Sequence, residues 1–177
     1  MKANKTLLAA VAVFGLSSLA HAADQGNGKV TFTGSIIDAP CSIAPDSADQ
    51  TIELGQISKV ALKDGGKSTP RNFDIQLENC SVSEKDSQNK VQITFTGMKS
   101  PAKNGLLGIT GSAKGASVAV TDGSGAVIEL GKPSTAQELS DGTNTLSFAA
   151  YVQGDGASAA ITEGEFQAVA DFTLAYN

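Results

Sequence analysis

The chain has 177 residues, a formal charge of −5, no tryptophan and only one histidine, His21. An acidic chain without a basic cluster excludes nucleic acid and anionic membrane as natural partners. The single imidazole leaves little scope for general-base or metal-ligand chemistry near neutral pH.

Residues 1–22 read as an export signal. Lys2 and Lys5 give a short basic start, Leu7 to Leu19 is mostly apolar, and Ala20-His21-Ala22 supplies the small-x-small pattern of a cleavage site between Ala22 and Ala23. The apolar run is interrupted by Gly15, Ser17 and Ser18. It is also shorter than the roughly 20 residues a spanning helix needs, so no membrane insertion of the mature chain is expected. Cleavage removes two lysines and no acidic residue, which moves the formal charge to −7, and it removes His21 as well. The remainder suits one domain.

The mature start, Ala23 to Pro40, contains an amphipathic alternation. Val30, Phe32, Gly34 and Ile36 fall on even positions, opposed by Lys29, Thr31, Thr33 and Ser35. Such a period-2 pattern is a strand with one apolar face. It fits either the first strand of the domain or an extension that leaves it, since 18 extended residues span roughly 60 Å.

Cys41 and Cys80 are the only cysteines, and in an exported chain they are expected to form a disulfide. The bridge would close a loop worth roughly 3–4 kcal/mol on the loop-entropy view. A metal site or redox pair is disfavoured, because there is no CxxC spacing and no further ligand. Beyond Cys41, candidate strands are Thr51–Gly55, Asn72–Asn79, Val91–Gly97, Ala116–Thr121, Ala126–Leu130, Thr145–Gln153 and Glu165–Tyr176, with Lys29–Asp38 before it. Asp122-Gly123-Ser124-Gly125 reads as a hairpin turn and Asp141-Gly142 as another strand entry. Ser81–Lys90 is polar and aperiodic, a solvated loop. Many short strands with such punctuation, and no helix of convincing length, predict an all-β sandwich.

The final strand is the most regular. Phe166, Ala168, Ala170, Phe172, Leu174 and Tyr176 occupy every even position, and Glu165, Gln167, Asp171 and Thr173 fill most odd ones. A long amphipathic strand of this kind is an open pairing template unless something covers it.

Motifs suggestive of chemistry dissolve on inspection. Ala61-Leu62-Lys63-Asp64-Gly65-Gly66-Lys67-Ser68 lacks the first glycine of a phosphate loop and reads as a surface turn. Ser100-Pro101-Ala102-Lys103 has S-x-x-K spacing, but Pro101 opposes the helix that would join Ser and Lys. Asp122, Asp141 and Asp155 each neighbour glycine, as turn residues do, rather than forming a calcium loop. Asn79-Cys80-Ser81 fits a glycosylation sequon around a cysteine expected to be bridged. No catalytic, cofactor-binding or metal site is expected, and the chain reads as a non-enzyme.

Several stretches carry a family resemblance: Gly28-Lys29-Val30-Thr31-Phe32, Ile37-Asp38-Ala39-Pro40-Cys41-Ser42-Ile43, Leu54-Gly55-Gln56, Ile75-Gln76-Leu77-Glu78-Asn79-Cys80, Asp141-Gly142-Thr143-Asn144, and Glu163 to Tyr176. With the penultimate Tyr176 and with Gly164 fourteenth from the end, the chain resembles the major subunits of chaperone–usher pili, of the P-pilus and type 1 pilin family. It departs in its terminal Asn177, where such pilins often carry Gln.

The resemblance implies an incomplete immunoglobulin-like Greek-key sandwich, residues 41–177, lacking its last strand. Residues 23–40 would be the donor-strand extension, with Val30, Phe32, Gly34 and Ile36 entering a neighbour's groove. Gly34 lies seven residues before Cys41, where the family keeps a glycine over a shallow pocket. Gly164, Phe166, Phe172, Leu174 and Tyr176 would form the groove edge that a periplasmic chaperone and an outer-membrane usher also engage. Implied partners are identical or related pilins joined head to tail, that chaperone and usher, and a host receptor reached through exposed loops. The implied location is a cell-surface fimbria, reached through the periplasm. The alternatives are a minor adaptor or terminator pilin, or a rod subunit with its own receptor-binding surface.

Overall fold

The structure, a computed structural model, describes residues 27–82 and 89–177. The chain divides into two compact units, Met1–Ile36 and Ile37–Asn177. The predicted leader and its cleavage point lie outside the described residues. In the first unit, residues 27–36 form neither helix nor strand. The alternation over Lys29–Asp38 therefore produces no ladder here, and Phe32 is 90% exposed.

The second unit is built almost wholly from antiparallel strands: β1 (Ser42–Ile43), β2 (Arg71–Cys80), β3 (Lys90–Gly97), β4 (Leu107–Gly108), β5 (Thr110–Gly111), β6 (Ala116–Asp122), β7 (Gln137–Glu138), β8 (Gly142–Gly154), β9 (Phe166–Gln167) and β10 (Ala170–Tyr176). A single helical turn, α1 (Pro45–Ala48), starts with proline, whose fixed φ suits a first helical position. One sheet has the order β1-β2-β8-β6-β4, a second β10-β3-β7, and β5 pairs with β9 in a third. Every neighbouring pair is antiparallel.

Alternation explains the core. On β2, Ile75 and Leu77 are buried while Asp74 and Gln76 are exposed, so one face of the strand points inward. Leu146, Phe148 and Val152 of β8 join them, and Val91, Ile93 and Phe95 of β3 close the core from the second sheet. Phe95 meets Phe148 edge to face at 5.4 Å, and Phe73 lies 5.7 Å from Phe148. Such aromatic pairs contribute about 0.5–1.5 kcal/mol beyond area burial. On the outer face of β6 and β8, Leu106, Ala119 and Tyr151 form a separate small cluster.

The Cys41–Cys80 disulfide is present and ties the residue before β1 to the end of β2. The hairpin turn at Asp122 is also formed. Its carboxylate accepts hydrogen bonds from the Ser124 N–H at 2.9 Å, the Ser124 hydroxyl at 2.6 Å and the Ala126 N–H at 3.0 Å. The Ser124 hydroxyl is the main cause holding the Asp122 carboxyl below its ordinary range. The segment returning from this turn is less regular than its sequence suggests. Ala126–Leu130 makes only one isolated bridge, Thr121 to Val127, and the Ile128 N–H donates to Val120.

Candidate functional site: an open groove along the final strand

The predicted final strand breaks in two, because it changes partner. Phe166 and Gln167 pair with Gly111 and Thr110, whereas Ala170 to Tyr176 pair with Gly97 to Val91. Gly164 makes the entry to this strand possible. Its φ is +149°, and a Cβ there would lie 2.2 Å from the Ser112 hydroxyl. Without a side chain the backbone closes onto Ser112. The Glu165 N–H donates to Ser112 Oγ at 3.1 Å, and Ser112 and Ala113 N–H groups donate to the Glu165 carbonyl at 3.0 and 3.1 Å. Nearby, Lys59 pairs with Glu163, and that hydrogen bond lowers the Glu163 carboxyl pKa.

β10 stands at the edge of its sheet, with β3 on one side. Its inward residues pair with buried partners: Phe172 with Phe95, Leu174 with Ile93, Tyr176 with Val91. Val91, Ile93 and Phe95 are 1–3% exposed, yet Phe172, Leu174 and Tyr176 are only half-buried. The sandwich is therefore closed over β3 and open over β10. Partial burial raises the Tyr176 phenol above its ordinary range through desolvation.

The opening is a groove of about 1410 Å³. Phe73, Ile75 and Phe95 contribute to its floor, and Phe166, Ala168, Ala170 and Phe172 line its β10 side. The facing side comes from Thr51–Ile57. The sequence alternation predicts a strand over Thr51–Gly55, and the structure keeps that alternation, with Ile52 and Leu54 half-buried between exposed neighbours. Yet no ladder forms there. Among the described residues, no backbone N–H or C=O of Thr51–Ile57 has a backbone partner. Two unpaired strand-like edges thus face an apolar floor, which is the geometry that admits one more strand.

The sequence points to Gly164, Phe166, Phe172, Leu174 and Tyr176 as the groove edge; Gly164, Phe166 and Phe172 line the opening, whereas Leu174 and Tyr176 lie further along β10. The sequence placed Thr51–Gly55 as an ordinary strand and missed its role as the opposite side. The missing signal was a partner, because among the described residues no segment pairs with it. Val30, Phe32, Gly34 and Ile36 are exposed in their own unit.

Two of the motifs set aside in the sequence form turns. Lys63–Gly65 is a 3-10 turn. The Ser100 hydroxyl accepts the N–H groups of Ala102 at 3.1 Å and Lys103 at 2.9 Å, so it caps a turn. Among the described residues no group of three or more potential metal ligands occurs, and no helix is long and apolar enough to cross a membrane.

An antiparallel immunoglobulin-like sandwich left open along one edge defines a class of subunit made to be joined to others. The chain belongs to the fimbrial protein family, whose sequence pattern matches residues 30–177. It is 64% identical over 176 residues to the fimbria A protein of Serratia marcescens, covering 99% of each chain. It is 54% identical over 180 residues to the major MR/P fimbria protein of Proteus mirabilis, again covering 99% of each. A subunit in a solved chaperone–usher pilus, studied for rod uncoiling, matches with a TM-score of 0.76 and 40% identity, over 86% of this chain and 97% of that one. The chain is a structural subunit of a surface fimbria, and its family is one of building blocks that polymerise with related subunits.

Proposed function

We propose that this subunit polymerises by donor-strand exchange, its groove accepting residues 30–36 of the next copy. The observation that carries the reading is the half-burial of Phe172, Leu174 and Tyr176 beside a fully buried β3. Val30, Phe32 and Ile36 supply the matching apolar alternation, and Gly34 has no side chain to place. Burying the three apolar side chains contributes roughly 1.5–3 kcal/mol each. Backbone hydrogen bonds to β10 and to Thr51–Ile57 add roughly 1 kcal/mol apiece. A donor at one end and a groove elsewhere make a heterologous contact, which propagates as a filament.

On this reading residues 1–22 are the export signal, 23–40 the donor extension and 41–177 the acceptor domain, with Gly164 setting the entry to the groove edge. A periplasmic chaperone covers the apolar groove before assembly, because an open groove of this size is an aggregation hazard. An outer-membrane usher exchanges the chaperone for the next subunit, and the assembled fimbria presents its loops to a host receptor. The rod role is favoured over an adaptor or terminator by relatives that are major fimbrial proteins.

The test is deletion of Ala23–Ile37 with chaperone and usher co-expressed. The expected product is a folded, chaperone-bound subunit that forms no heat-resistant oligomers on a denaturing gel. Normal filaments from the deletion would overturn the donor assignment.

A further inference from the structure

Outside the groove, the turn between β3 and β4 brings together a chemically reactive pair, Asn104 and Gly105. Asn104 is exposed, and among the described residues its side-chain amide makes no hydrogen bond. Two other asparagine amides are held: Asn144 bridges the Ser140 N–H and carbonyl at 2.9 and 2.7 Å, and Asn177 donates to Gln92 at 2.8 Å. Asn72, Asn79 and Asn89 are as free as Asn104 in their side chains, but none of them precedes a glycine. Gly105 follows with φ +82°, and its N–H donates no hydrogen bond among the described residues. A glycine at this position offers an amide nitrogen unobstructed by a Cβ. The turn is anchored around it, with the Leu106 N–H donating to Lys103 at 3.2 Å and the Leu130 N–H donating to the Gly105 carbonyl at 3.0 Å.

We infer that Asn104 is a site of spontaneous covalent modification, by deamidation through a succinimide. The Gly105 nitrogen loses its proton and bonds to Asn104 Cγ, and ammonia leaves. Water then opens the five-membered ring at either carbonyl, giving aspartate or isoaspartate. Neither step is a redox change, and water is the only co-reactant. The aspartate product places a negative charge beside Lys103. The isoaspartate product lengthens the main chain by one carbon inside a turn whose next residue, Leu106, is 7% exposed against Ala119 and Tyr151. A Cβ on Gly105 would already sit 3.0 Å from Glu129 Cγ, so the turn has little space on that side.

The experiment ages the full subunit in neutral to mildly alkaline buffer and follows every asparagine by peptide mapping and mass spectrometry. Isoaspartate is read independently with an isoaspartyl methyltransferase. Within the folded unit, Asn104 is expected to convert several-fold faster than Asn72, Asn79, Asn89 and Asn144, and Asn104→Gln to abolish the methyltransferase signal from its peptide. A urea-unfolded sample supplies the rate set by sequence alone. Conversion of Asn104 no faster than those four asparagines in the folded protein would overturn the inference. So would a folded-state rate suppressed to their level while the unfolded chain converts rapidly.

Discussion

Replacing Phe32 by alanine separates the stability of one subunit from the stability of the join between two. The Phe32 ring is 90% exposed in its own unit. Its removal should therefore leave the free subunit within about 0.5 kcal/mol of the parent, as for surface changes generally. On the proposed donor-strand reading, the segment enters a neighbour's groove and the ring would be buried there. Transfer alone then accounts for about 1.5–3 kcal/mol, and the cavity left behind raises the loss to about 3–5 kcal/mol. At about 1.4 kcal/mol per factor of ten, the join weakens at least a hundredfold. The assay is a temperature series of purified fibres on a denaturing gel, run beside urea unfolding of the chaperone-released subunit. Fibres should fall apart at lower temperature while the subunit midpoint stays put. A fibre that survives as well as the parent, or a subunit destabilised as much as the fibre, would refute the reasoning.

Gly164→Ala introduces a Cβ 2.2 Å from Ser112 Oγ at a positive φ, and overpacking of this kind should cost about 1–3 kcal/mol in a urea titration. An unchanged midpoint would show that the Ser112 clasp can open freely. Asp122→Ala removes three hydrogen bonds to one exposed carboxylate and should cost about 1 kcal/mol at pH 7. Because the folded pKa is depressed, the stabilisation is present above the usual value of 3.8 and is lost as pH falls through the folded one. The gap between variant and parent urea midpoints should accordingly shrink below about pH 4, and a pH-independent gap would contradict it.

Much of this architecture was legible because period-2 patterns are dictated by the pleat. The strands around Ile75, Ile93, Val118 and Phe148 appear where alternation places them, within a few residues at each end. The two-residue strands β4, β5 and β7 were illegible, since Leu107–Gly108, Thr110–Gly111 and Gln137–Glu138 are too short to carry a period. The break in the last strand at Ala168-Val169 was hidden for another reason. Its alternation is unbroken, and only the change of partner from Gly111 to Gly97 interrupts the ladder. The groove itself was half visible. Phe172 and Tyr176 announce an apolar face, but whether that face is covered depends on a strand that this unit does not contain.

The bond between Cys41 and Cys80 would have a mechanical consequence for a filament joined, as proposed, through its amino-terminal segments. Tension arriving through Pro40 would meet β1 first, and β1 has only two paired residues, Ser42 with Glu78 and Ile43 with Leu77. Alone, that short ribbon would peel. The disulfide diverts the pull at Cys41 straight into Cys80 at the end of β2, a strand laced to β8 from Arg71 onward. Force is thus handed covalently to β2, past a seam of only two residue pairs.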